Sequence, residues 1–259
     1  MQIISFRPGN YSYLPAGFQY SAAVVAEKGF IIERARLDRP IELEQAFELM
    51  REHLIGIGRP LTALCACELR SAAPMTEAEF VKFNRSYVKI LEGWGIFEAE
   101  VNPVARCNLI PTDNRPRRPS IYAFSYTVPT DKIMTLPDFK TSGAAECPDR
   151  PGYRHNIVRL GEVTPDALSD KLKYAVSDIN HRLLAMGVSW SDIRNIHLYS
   201  VHDLHEIMHR QLLGAGVAGG GISWHCVRPP VEDIEIEIDV ARISSQILIE
   251  VSKRHVSHG

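Results

Sequence analysis

The order of secondary-structure signals in this chain occurs twice, and that repeat narrows the possible folds more than any single motif. In the first half, residues 21–26 and 30–33 are apolar runs around Glu27-Lys28-Gly29. This spacing predicts a hairpin, with the glycine supplying the positive φ of its turn. Leu43, Ala46, Phe47, Met50 and Leu54 then recur at three- and four-residue spacing, one face of a helix that Gly56 and Gly58 stop. Alternation of Leu61, Ala63, Cys65, Cys67 and Leu69 reads as a half-buried strand. Thr76-Glu77-Ala78-Glu79 is a capping box opening a second helix, with Phe80, Phe83, Tyr87, Ile90, Leu91 and Trp94 as its buried stripe. Two more strands are expected over 105–110 and 120–128.

The second half repeats the order. Residues 139–143 end an early strand. Thr164-Pro165 is an N-cap followed by proline at the first helical position, where a missing N–H costs nothing. Leu168, Leu172, Ala175, Ile179, Leu183 and Met186 line one face of that helix, and Gly187 ends it. A strand over 193–201, a helix over 203–213 and strands over 222–227 and 234–240 complete the set. A repeat of this length means duplicated domains, not a solenoid. The polar, proline-flanked segment near 129–137 puts the boundary between a domain at 1–130 and another at 131–259. The expected class is α/β (α+β), each domain a mixed sheet with two helices packed on one face.

Composition removes several function classes. A net charge of −2 gives no bulk attraction to nucleic acid or to an anionic membrane. No run approaches the ~18 apolar residues of a membrane span, and residues 1–8 lack the pattern of a secretory leader. The expectation is a cytoplasmic protein with neither nucleic acid nor membrane as partner. The five cysteines are odd in number, and their one close pair, Cys65 and Cys67, is C-x-C, not the C-x-x-C of zinc ribbons or redox sites. They read as reduced thiols.

Several motifs together resemble the RidA (YjgF) superfamily. Phe80-Val81-Lys82-Phe83-Asn84-Arg85-Ser86-Tyr87 is similar to its F-x-x-x-N-x-x-Y helix, and Pro103-Val104-Ala105-Arg106-Cys107 to its P-A-R strand with one inserted valine. Thr141-Ser142-Gly143 resembles its T-S-G, 185–193 its helix-to-strand connection, and Pro229 with Ile234-Glu235-Ile236-Glu237 its terminal L-P…I-E-I-E strand. The stretches 102–108, 122–129 and 224–230 are similar to a tandem-domain subgroup, the 2-aminomuconate and 2-amino-5-chloromuconate deaminases of aromatic degradation. The resemblance implies chorismate-mutase-like domains, homotrimeric association, no cofactor and no metal. It also implies hydrolysis of an enamine or imine to a keto acid and ammonia. Each half departs from the family pattern. The first keeps Arg106 but has Tyr122 where the glutamate falls; the second keeps Ser142, Gly143 and Glu235 but has 219–221, all glycine, where the arginine falls. Complementary half-sites meeting at an interface are therefore expected.

The residue chemistry fits a small carboxylated substrate. Arg106 is the expected carboxylate anchor, because a guanidinium grips a carboxylate bidentately and stays charged. Glu235 is the expected general base and proton shuttle. Ser142, Gly143 and Asn84 are expected to bind substrate. Arg228, His225 and the cluster Arg115, Arg117 and Arg118 are the choices for a second cation. Glu237 and Asp239 share a strand face with Glu235. Were that face to line a wet interior between domains, crowding of like charges would raise one of their pKa values toward neutrality. The preferred reading for these two is a solvent-exposed polar face. Tyr87 reads as core. A rival motif is His205-Glu206-Ile207-Met208-His209, an HExxH with His202 nearby, which on a helix would specify a zinc-dependent hydrolase. A non-catalytic binder of small keto acids is the third reading.

Overall fold

The computed structural model describes residues 2–212 and 221–251. The chain opens with antiparallel strands β1 (Ile4–Phe6), β2 (Tyr11–Leu14) and β3 (Ala23–Ala26). The long strand β4 (Phe30–Glu42) runs into α1 (Leu43–Gly56), followed by β5 (Leu64–Arg70), α2 (Glu77–Gly93), β6 (Ala105–Pro111) and β7 (Ser120–Pro129). Next come β8 (Phe139–Thr141), β9 (Ala144–Ala145), the single turn α3 (Tyr153–Asn156) and the long α4 (Pro165–Met186). β10 (Asn195–Tyr199), α5 (His205–Gln211), β11 (Ser223–His225), β12 (Val227–Arg228), β13 (Glu237–Arg242) and β14 (Ser245–Ile249) complete the described elements. The expected end of the α5 helix, Leu213, and glycines 219 and 220 lie outside the described residues.

The helix signals act as the residue chemistry dictates. Thr76 Oγ1 accepts the Glu79 N–H at 3.3 Å while Glu79 Oε2 accepts the Thr76 N–H at 2.9 Å, so α2 starts on a reciprocal cap. Thr164 caps α4, and Gly187, with φ of 71°, takes the left-handed conformation that ends it.

The result is a mixed α+β fold built on two mixed sheets. One has the strand order β12-β6-β5-β7-β4-β14, and the other β1-β2-β3-β8-β13-β10-β11 with β9 also paired to β13. Apolar side chains of α1 and α2 bury one face of the first sheet, around Phe47, Met50, Tyr87 and Leu91. Leu168, Leu172, Ile179 and Ile207 of α4 and α5 cover Ile236, Ile238 and Val240 beside the second. The two inner faces meet at Tyr11, Val24, Ile32, Cys65, Ala66, Ala105 and Ala241. The layers are helices, sheet, sheet, helices.

Three expectations are corrected. β3 and β4 do not form a hairpin: Gly29 still supplies its positive φ of 85°, but the turn passes the chain from one sheet to the other. β5 is buried along its whole length, not on one face, because the second sheet covers the side that alternation left polar or small. Glu237 and Asp239 are 7% and 0% exposed, because their face of β13 points into the space between the sheets. Regular pairing of that strand starts only at Glu237, since the buried Glu146 carboxylate takes the N–H groups of Glu235 and Ile236 at 2.6 and 3.0 Å.

Candidate active site

The two halves meet at Arg106. Its backbone N–H donates to Ser142 Oγ at 2.7 Å, its carbonyl accepts the Gly143 N–H at 3.1 Å, and Ser142 Oγ donates to the Ser21 carbonyl at 2.5 Å. The residues expected from opposite halves are therefore joined through the Arg106 backbone, the Ser142 hydroxyl and the Gly143 N–H. The Arg106 side chain is 2% exposed, and its Nη1 has no hydrogen-bond partner among the described residues. Its guanidinium carbon lies 5.0 Å from the ring centroid of Tyr87, 5.1 Å from Tyr20, 5.6 Å from Phe80 and 5.9 Å from Phe83. Four aromatic rings offer cation–π attraction but no counter-charge. A buried cation with an unmet donor is costly until an anion arrives.

Glu237 faces the same space. Burial, and then the nearby Asp239 carboxylate, push its carboxyl up to about 8, with Arg106 and Arg182 opposing the shift. At neutral pH this side chain holds its proton. Asp239 behaves oppositely: burial works to raise it, yet the Lys140 ammonium and His197 hold it down to about 2. It accepts from Tyr199 Oη at 2.7 Å and pairs with His197 Nδ1 at 3.0 Å. Two carboxyls two residues apart are thus driven to different protonation states, the arrangement that separates acid and base roles. Gly143 is required by contact, since a Cβ there would sit 1.9 Å from Glu237 Oε1.

Around these groups lies a cleft lined from both halves, including Tyr20, Phe80, Gly143, Asp149, Tyr153, Arg182 and Glu237. An adjoining recess, which shares Tyr20, Phe80, Gly143 and Glu237 with the cleft, adds Arg106 and Asn108. Arg182, 5% exposed on α4, donates from Nη1 to the carbonyls of Ala22 and Ser142 at 3.2 and 2.8 Å. Its Nη2 pairs with Asp178 at 2.6 Å, and its Nε is buried without a partner among the described residues. Asp149 Oδ1 accepts from Gln19 Nε2 at 2.8 Å and Tyr153 Oη at 2.7 Å.

The other expected residues divide. Asn84 is 1% exposed on the α2 face that carries Phe80 and Tyr87, and neither atom of its amide is hydrogen-bonded among the described residues. Tyr87 is core, as read, and also one wall of the arginine's cage. Glu235 is held by Arg228 Nη1 at 2.8 Å and His202 Nε2 at 2.6 Å and does not line the cleft. Arg228 therefore faces Glu235, while His225 stacks on Tyr199 with centroids 5.3 Å apart. Arg115, Arg117 and Arg118 are exposed on the β6–β7 loop. His205, Glu206 and His209 are exposed on α5, and no cluster of three metal-ligating side chains forms among the described residues.

The cleft also holds Arg182 and Asp149, which the sequence reading does not single out, and Glu237, which it offers only as one member of an acidic strand face. For Arg182 the signal exists: counting from Ala175 and Ile179, position 182 falls on the apolar stripe of α4, where a charge needs a reason. Asp149 lies in an irregular segment and carries no such signal.

A family model described as "2-aminomuconate deaminase CnbZ" matches residues 3–247. The chain is 42% identical over 240 residues to a 2-amino-5-chloromuconate deaminase of Comamonas testosteroni, spanning 92% of this chain and 95% of that protein. Among solved structures it superposes on a chorismatase at TM-score 0.49 and 11% identity, over 86% of this chain and 77% of that one. The YjgF gene product of E. coli superposes at TM-score 0.31 and 17% identity, over 43% of this chain and 84% of that one. Matched along almost its whole length, the chain belongs to the 2-aminomuconate deaminase CnbZ family, enzymes that act on carbon–nitrogen bonds.

Proposed function

We propose that the chain hydrolyses the enamine of a 2-aminomuconate-type dicarboxylate, releasing a 2-keto acid and ammonia, in the cleft between Arg106 and Glu237. The observation that carries this reading is a buried guanidinium with an unpartnered Nη1 that shares a recess with Glu237, whose carboxyl burial pushes up to about 8. Arg106 takes the carboxylate next to the amine-bearing carbon, and Arg182 is the second guanidinium on the wall for the distal carboxylate. Ser142 and Gly143 hold the Arg106 strand in place, and Asn84 supplies further polar contacts. Descent of both halves from a RidA-type domain belongs to the same reading.

The proton inventory closes on Glu237. Its acid form protonates the substrate chain carbon, turning the enamine into an iminium. The resulting carboxylate takes a proton from water as the oxygen attacks C2, which gives a carbinolamine and restores the acid. The acid then protonates nitrogen. The C–N bond breaks, the hydroxyl proton returns to Glu237, and ammonia and the keto acid leave. One water is consumed and the side chain ends as it began.

The test is ammonia release from 2-aminomuconate by the purified chain and by R106K. Lysine keeps the charge but loses the planar fork. We expect kcat/KM to fall by about 10²-fold or more, on the order of the 3 kcal/mol carried by charged hydrogen bonds. Undiminished release by R106K, or none by the wild type, would remove this reading.

A further inference from the structure

The polar atoms left unmatched around the cleft sort by hydrogen-bonding sense. The donors are Arg106 Nη1, Arg182 Nε and Asn108 Nδ2, and the carboxyl acceptors are Glu237 Oε1 and Asp149 Oδ2. Tyr87 beside Arg106, and Asn84 on the same helix face, leave a hydroxyl and an amide that can do either. All of these atoms are buried with no partner among the described residues. A 2-amino dicarboxylate carries the complementary set. Its carboxylates only accept, and its amine is its one donor group. The guanidinium donors answer the carboxylates, so the carboxyl acceptors are left for nitrogen.

We infer that Asp149 is the docking group for the ligand's 2-amino nitrogen, a specificity role that rests on the deaminase reading above. Gln19 and Tyr153 both bond to Oδ1, fixing the carboxylate plane from opposite halves of the chain and leaving Oδ2 free. Phe80 and Tyr153 pack edge to face beside it, with centroids 6.3 Å apart, so a contact made there is screened from water. Glu237, the other carboxyl acceptor, is occupied with moving protons. With nitrogen held by a second carboxyl, Glu237 can reach carbon, water and nitrogen in turn without also having to anchor the ligand.

The test uses a stable probe pair, 2-aminoadipate and adipate, six-carbon dicarboxylates with and without the 2-amino group, bound to the full chain in calorimetry. Wild type should bind 2-aminoadipate about tenfold or more tighter than adipate, the scale of one charge-assisted hydrogen bond. Asp149→Asn should erase that preference while leaving adipate affinity within about threefold, since the amide oxygen still accepts from Gln19 and Tyr153. Asp149→Ser serves where the asparagine variant does not fold. A preference that survives in the variants, or one missing in wild type, overturns the inference. An equal loss of both ligands also overturns it, because it shows a structural role only. Ammonia release is scored separately. A wild type that prefers the amine through Asp149 yet releases no ammonia refutes the deaminase reading and leaves the amine site standing.

Discussion

At the scale of single residues, the proposed reaction depends on Glu237 keeping a proton that a solvent-exposed glutamate would lose. In the proposed cycle its acid form acts first, so kcat/KM should fall above pH ~8, about tenfold per unit, as that proton is removed. Glu237→Gln should bind the dicarboxylate and lose about 10²–10⁴ in turnover. The same shift has a stability sign. Between its ordinary value of 4.5 and about 8 the folded chain holds a proton that the unfolded chain has released. This contribution is fully present below pH ~4.5 and is lost as pH rises to about 8, on the order of a few kcal/mol. Urea unfolding should therefore show Glu237→Gln gaining on wild type from pH 5 to pH 8.5; parallel curves would mean that the carboxyl ionises normally. Arg106 was legible in the sequence because its strand motif survives. Glu237 was not. Alternation put it on an acidic face, and nothing in the sequence says that a second sheet covers that face. Position 235 matched the family pattern, but its carboxylate is drawn to Arg228 and His202.

At the scale of elements, caps and stripes were legible and partners were not. The α2 and α4 boundaries follow from Thr76, Glu79, Thr164, Pro165 and Gly187, whose effects are local. The turn at 27–29 is equally local, yet a glycine turn is compatible with a hairpin and with a passage between sheets. Only the pairing of β3 with β8 and of β4 with β7 decides between them. Arg182 shows how an element delivers a charge to the cleft: α4 gives one position of its apolar stripe to a guanidinium that reaches the carbonyls of Ala22 and Ser142. Its charge favours ionised Glu237. Arg182→Met should therefore move the alkaline limb of the pH–rate profile above pH ~8 and raise KM. An unmoved limb would place Arg182 outside the electrostatic reach of the acid.

At the scale of the whole molecule, the repeat accounts for the order of elements but not for how the halves are closed. β1, β2 and β3 come from the first half and complete the sheet of β8, β13 and β10. β14 and β12 come from the second half and flank the sheet of β4, β7, β5 and β6. Each half separated near residue 130 would lose strands that its own helices do not replace, exposing apolar edges and the inner faces around Tyr11, Ile32 and Ala105. The cleft has the same dependence, because Arg106 is positioned by Ser142 and Asp149 by Gln19. We therefore expect residues 1–130 and 131–259, produced separately, to be unfolded or aggregated, and to recover activity only when co-expressed. The intact chain should unfold in one transition, with fluorescence and circular dichroism coincident. Two resolved transitions, or a half that folds alone with a cooperative melt, would show that strand exchange contributes little to holding the halves together. The site would then be an interface between independent domains and not the interior of one shared fold.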